Sequence, residues 1–300
     1  MSLFEKKSEA RLHVPALRSL TVAARCAFAL ATGAACAQQP QNPSPMVEHT
    51  RAHLRLAEQP PPQGRREKLD VGTLFLPAGL KNGAPILFFF HGGAWIPEVA
   101  AARNKAAAVS VQAGAGSAAY ARLFEDPQRF LRLLAEAESK AGMKFGRVII
   151  GGWSAGCGAV RQIVKTPASY ARVNGALLID GIHADYAGGK PGPLESQLDP
   201  ANLEVWMPLL GDAVAGRKRV IITHSEIFPG TYASTTETAD ALLKMLGVPR
   251  RAVLKWGPMG LQQLSQASAG RFLLLGFAGN SAPDHVDQLH SLPVFLKWLR

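Results

Sequence analysis

Residues 148–160, VIIGGWSAGCGAV, set one serine inside a knot of glycines, between an apolar run and a return to small residues. A buried strand has no use for such a knot, and in a helix each interior Gly costs roughly 1 kcal/mol relative to Ala. The spacing Gly152-x-Ser154-x-Gly156 fits a sharp strand-to-helix turn that lifts a hydroxyl above the edge of a sheet. A serine held there can act as a nucleophile, and the following helix points its N-terminus at any anion that forms. Ala155 offers its backbone N–H to that anion. The plain alternative is a Gly-rich structural turn.

A second stretch points into the same cavity. His91-Gly92-Gly93-Ala94-Trp95 closes the apolar run ILFFF about 60 residues upstream. Glycines at a strand end let the chain turn so that the N–H groups of Gly93 and Ala94 converge with that of Ala155 as an oxyanion hole. His91 itself reads as a loop-bracing residue.

On these two motifs the chain resembles the α/β-hydrolase superfamily, in the serine esterase and lipase branch with an H-G-G motif, over nearly all of residues 65–300. The resemblance implies a triad in chain order Ser, acid, His, and the oxyanion donors Gly93, Ala94 and Ala155. The family's fourth H-G-G-G position is Ala94 here, a change that a backbone donor tolerates. The base is expected on the loop after the last strand, where GFAGNSAPDHVDQLH offers His285 and His290. His285 stands nearer the strand end and is preferred, while His290 reads as a surface or packing residue. The family's commonest acid position follows the strand RVIITHS, which here supplies Glu226 but no Asp. Its alternative position gives Asp180, after ALLI, and a buried carboxylate there needs a partner such as His285. Asp180 is preferred, Glu226 is the alternative, and Asp185 comes third. His183 and His224 flank the expected cleft, with loop hydrogen bonding as their reading.

The activity so implied is hydrolysis of a small-molecule carboxylic ester through an acyl-enzyme. A peptidase or amidase of the same fold, or a non-catalytic binding protein, are the alternatives.

Positioning these groups takes a particular order of elements. KLDVGTLFLP alternates like a strand, APILFFFHGG is a strand buried on both faces, and AAVSVQAGAG reads as another. QRFLRLLAEAESKAG repeats apolar residues at helical spacing and closes on Gly142. Ser234-Thr235-Thr236-Glu237 is a capping box that opens a helix ended by Gly247 and Pro249. Strands alternating with helices imply one three-layer α/β domain with a mostly parallel sheet. A short cap is expected over 183–210, with Trp95, Trp206 and Tyr232 as candidate lining.

The composition adds boundaries. QPPPQGRRE (59–67) has linker composition, so the folded body is placed over 65–300, after a flexible Pro/Gln-rich stretch over 38–64. Residues 1–37 carry five Lys or Arg and two Glu, then the uncharged run CAFALATGAACA, ending in Ala35-Cys36-Ala37. That reads as a signal peptide cleaved after Ala37, and hence export to a periplasm or medium. The run is too short to span a bilayer as a helix, which needs about 20 residues. Gly33 stands where lipid attachment at Cys36 would want a large aliphatic residue. After cleavage only Cys157 remains, which leaves no disulfide and no cysteine-based zinc site. The formal charge of +11 is scattered, without the interleaved aromatics of a nucleic-acid platform, and reads as a solvated basic surface. No metal-ligand spacing and no nucleotide loop is found; QAGAGSAAY lacks the basic residue. No cofactor is expected, and the sequence leaves the oligomeric state open.

Overall fold

Ile86–Phe90 forms a strand in which every side chain is fully buried, as a run without polar alternation requires. The computed structural model describes residues 54–191 and 197–299; the leader expected over 1–37, with Cys26 and Cys36, and most of the stretch 38–64 lie outside them. In chain order the strands are β1 (Gly64–Lys68), β2 (Thr73–Pro77), β3 (Ile86–Phe90), β4 (Ala107–Val111), β5 (Val148–Trp153), β6 (Gly175–Ile179), β7 (Arg219–His224), β8 (Arg251–Trp256), β9 (Gln262–Ala269) and β10 (Phe272–Phe277). The helices are α1 (Trp95–Asn104), α2 (Ser117–Arg122), α3 (Arg129–Ala141), α4 (Cys157–Lys165), α5 (Pro167–Arg172), α6 (Pro200–Glu204), α7 (Met207–Val214), α8 (Thr235–Leu246), α9 (Ala282–His290) and α10 (Leu292–Trp298).

All strands join one sheet in the order β1-β2-β4-β3-β5-β6-β7-β10-β9-β8. The central strands β4, β3, β5, β6, β7 and β10 are parallel, and antiparallel pairs close both edges. The pleat sorts side chains to two faces. Phe88, Phe90, Ile150, Leu178 and Ile222 meet Leu134, Val160, Leu210 and Leu242 from α3, α4, α7 and α8. Leu87, Phe89, Ile149, Leu177 and Ile221 meet Val99, Leu289 and Phe295 from α1, α9 and α10. Each such buried side chain contributes about 1.5–3 kcal/mol. This is the expected α/β-hydrolase architecture: a mostly parallel sheet between two helical layers.

Three local expectations change. The stretch read as a linker supplies β1, and KLDVGTLFLP is a hairpin, turned where Leu69 N–H donates to the Gly72 carbonyl at 3.0 Å. Polar residues suit β1 because it is an exposed edge; Arg66 lies 4.8 Å over the Phe75 ring and pairs with Glu98. The hairpin β8–β9 has no counterpart in the sequence expectations: β8 (RAVLKW) is short and largely exposed, and β9 (QQLSQASA) is mostly polar. Within the expected cap, α7 buries Leu209, Leu210 and Ala213 in the core, so it covers the sheet and the cap ends before it.

Two capping boxes fix helix starts. Ser234 accepts from Glu237 N–H at 3.1 Å, and the Glu237 carboxylate accepts from Ser234 N–H at 2.8 Å, as expected. Ser281 and Asp284 form the second, at the start of α9. Ahead of β1 the chain is tied to α9: Leu56 N–H donates to His290 Nδ1 at 3.0 Å, and Arg55 pairs with Asp287.

Candidate active site

Five non-glycine residues among those described take positive φ, and three of them end adjacent parallel strands. His91 (φ 71°) follows β3, Ser154 (φ 51°) follows β5 and Asp180 (φ 44°) follows β6. A left-handed conformation costs such residues roughly 1–2 kcal/mol. Three such residues at the carboxyl ends of neighbouring strands mark the crevice where open α/β sheets bind ligands.

Ser154 opens a single 3-10 turn (Ser154–Gly156) that runs directly into α4. The bend needs its small neighbours. A Cβ on Gly156 would collide with the Phe90 carbonyl oxygen, and one on Gly181 would collide with the Ser154 backbone. The end of β6 is thereby pressed against the serine, so Asp180 and Ser154 sit on touching segments.

Asp180 is buried, and each of its oxygens is engaged. Oδ1 accepts from Ser225 N–H at 2.8 Å and from Thr235 Oγ1 at 2.6 Å. Oδ2 lies 2.7 Å from His285 Nδ1. Burial alone would push this carboxyl up, but the His285 ring and the other two donors hold it below the ordinary carboxylate range. His285 follows the loop after β10 and stands in the first turn of α9, at the start of the helical pattern DHVDQLHSLPVFLKWLR, where its N–H donates to the Ser281 carbonyl at 3.1 Å. The Ser281-Ala-Pro-Asp284 capping box starts the helix just before it. The Trp153 ring lies against two imidazoles, His91 at 5.1 Å and 13°, and His285 at 4.5 Å and 31°. Its indole N–H donates to the His285 carbonyl at 3.0 Å. Among the described residues neither the Ser154 hydroxyl nor His285 Nε2 has a hydrogen-bond partner. Such contacts are often open before substrate arrives.

The other sequence candidates fall elsewhere. Glu226 is exposed, and Asp185 is exposed on the cleft wall; neither meets His285. His290 is a buried packing residue against Trp95. His91 is braced, as expected, by Tyr120 at 2.8 Å. Burial, then the neighbouring His285, lowers its pKa. His224 is buried between Thr236, the Ser225 carbonyl and Arg250. Burial, then the Arg250 charge, lowers its pKa to about 4.

A cleft of about 520 Å³ opens beside Ser154, with Ala155, His183, Tyr232, Arg161 and Asn202 among its lining. His183 sits edge-on to Tyr232, 5.0 Å between centroids, and burial lowers its pKa. Trp206 is buried in the core and Trp95 packs beneath α9 and α10, so neither lines this cleft. Ala155 lines it directly. Gly93 and Ala94 are exposed at the start of α1, just past His91, which itself abuts Gly156. No group of three or more metal-binding side chains occurs among the described residues. Nor is any described helix long and apolar enough to cross a membrane.

No protein-family profile matches the chain, and no curated protein matches it. Solved structures similar to it include LpqC, a poly(3-hydroxybutyrate) depolymerase from Bordetella parapertussis, at 15% identity and a TM-score of 0.46, covering 75% of this chain and 87% of that one. An arylesterase follows at 12% and 0.46, covering 82% and 88%, and the acetyl xylan esterase of Aspergillus awamori at 16% and 0.44, covering 76% and 92%. Those activities are stated of those proteins; the chemistry of this chain rests on its own geometry.

Proposed function

We propose that this chain is a serine hydrolase that cleaves carboxylic esters through an acyl-enzyme intermediate. The observation that carries the reading is the 2.7 Å contact between His285 Nδ1 and the buried Asp180 carboxylate, on the segment pressed against the strained Ser154 bend. An imidazole oriented by a buried carboxylate has Nδ1 protonated and Nε2 free as a base.

In the proposed reaction, Ser154 Oγ attacks the ester carbonyl carbon and its proton passes to His285 Nε2. Asp180 stabilises the imidazolium. The carbonyl oxygen becomes an oxyanion, held by the N–H groups of Gly93, Ala94 and Ala155, and each such donor is typically worth about 3 kcal/mol of barrier. Collapse breaks the bond to the alcohol oxygen, which takes the proton from His285 as it leaves. Water then attacks the acyl-enzyme by the same steps in reverse and frees the acid. The left-handed φ of Ser154 and the absence, among the described residues, of a competing partner for its hydroxyl support the nucleophile's role.

The test is labelling by a serine-directed fluorophosphonate, together with a panel of chromogenic esters. The expected result is labelling at Ser154 and turnover that Ser154→Ala abolishes. A folded protein that is neither labelled nor active overturns the reading. Export is proposed as well: N-terminal sequencing of the secreted chain is expected to begin at Gln38.

A further inference from the structure

The cleft beside Ser154 contains a cation that the chemistry above does not use. Arg161 lies on α4, which begins at the serine bend, seven residues beyond Ser154. At 1.5 Å per residue this puts its Cα roughly 10 Å along the helix direction from that of the serine. Among the described residues its guanidinium has one hydrogen bond, from an Nη to Asn202 Oδ1 at 3.3 Å. Among the described residues no carboxylate lies within ion-pair distance of it.

The amide that meets it is itself fixed. Asn202 Nδ2 donates to Asp199 Oδ2 at 2.9 Å, which turns the Asn202 oxygen, not its N–H₂, toward Arg161. Asp199 Oδ1 accepts from Ala201 N–H at 3.0 Å, capping α6. Arg161 is thus oriented by a neutral acceptor that leaves its charge in place and, among the described residues, most of its five donors unused. A planar cation so held matches a carboxylate in bidentate geometry. The formal charge of +11 on the chain, +8 without residues 1–37 and their five Lys or Arg and two Glu, favours the approach of an anion. Among the described residues the opposing charges nearby are Asp185, exposed on the same wall, and Asp199 behind Asn202, and both would repel an anion.

We propose that the cleft selects esters that also carry a carboxylate remote from the scissile bond, and that Arg161 binds it. The inference rests on the esterase reading of Ser154.

Two matched pairs of substrates test it at low ionic strength. In the first, the 4-nitrophenyl half-ester of adipic acid is compared with its methyl-capped diester, placing the carboxylate on the acyl side. In the second, 4-carboxyphenyl butyrate is compared with its methyl ester, placing it on the alcohol side. In one pair, kcat/KM for the anionic member is expected to exceed that of the neutral member by tenfold or more. Arg161→Gln brings that ratio to one or below, Asp185→Asn raises it, and added salt narrows it. Arg172→Gln, an exposed basic residue outside the cleft, retains it, which separates a local site from bulk charge. A wild-type ratio of one or less in both pairs overturns the proposal, as does a preference that survives Arg161→Gln. No turnover of any of the esters, with Ser154 unlabelled by fluorophosphonate, is instead a failure of the esterase reading.

Discussion

The indole N–H of Trp153 donates to the backbone carbonyl of His285 at 3.0 Å while its ring lies 4.5 Å from the His285 imidazole. The residue before the serine thus holds the histidine from two directions, across 132 positions of sequence. Trp153→Phe keeps an aromatic face and loses the hydrogen bond, at about 1 kcal/mol of stability. Trp153→Ala also frees the ring, and misplacing a catalytic group by an ångström costs about 10²-fold in rate. The expected outcome is a fall in kcat that is small for Phe and large for Ala, with KM nearly constant. Steady-state kinetics on a short-chain ester checks this.

Asp180 and Glu226 compete for one role, and the structure brings only Asp180 to His285. Asp180→Asn presents an amide that no longer fixes the imidazole tautomer, and kcat should fall on the order of 10⁴-fold. Glu226→Gln should leave kcat within a factor of two. Equal losses in the two variants would reverse the assignment of the acid.

Buried histidines give the fold a direction of pH dependence. His224 titrates near 4 in the folded chain against 6.5 ordinarily, because of burial and then Arg250. Above 6.5 it is neutral in both states and contributes no penalty. As pH falls from 6.5 toward 4 the unfolded chain takes up a proton that the folded chain refuses, so stability is lost, by roughly 3 kcal/mol at pH 4. His91, His183 and His290 are lowered in the same direction. Asp180, lowered instead as a carboxylate, contributes stability above about 3.8 that is lost only below it. Urea unfolding at pH 7, 5 and 4 should show the decline, and His224→Gln, whose amide oxygen can still accept from Arg250, should flatten it by up to one proton.

Gly156 meets the Phe90 carbonyl, which is backbone of a central strand and cannot move aside. Gly156→Ala should lower stability by about 3 kcal/mol and reduce fluorophosphonate labelling of whatever folds. Thermal unfolding and labelling rate, measured on the same sample, check both.

The serine bend was legible because its pattern is local: a strand, a serine and small neighbours are written in one stretch from Val148 to Val160. The capping box at Ser234 and the buried ILFFF strand were legible for the same reason, since each is a pattern of adjacent residues. Asp180 against Glu226 could only be weighed, because their meeting with His285 depends on where three strand ends stand relative to α9. The grip of Trp153 on His285 and the partners of Asp180 arise from contacts between segments far apart in the chain. The hairpin β8–β9 pairs a largely exposed strand, RAVLKW, with a mostly polar one, QQLSQASA, and neither carries the burial period of a core strand. Local sequence thus determined the serine bend, the capped helices and the buried central strands. Long-range packing decided which groups meet, because side-chain direction at a strand end is set by the neighbouring strand and helix rather than by the residues on either side.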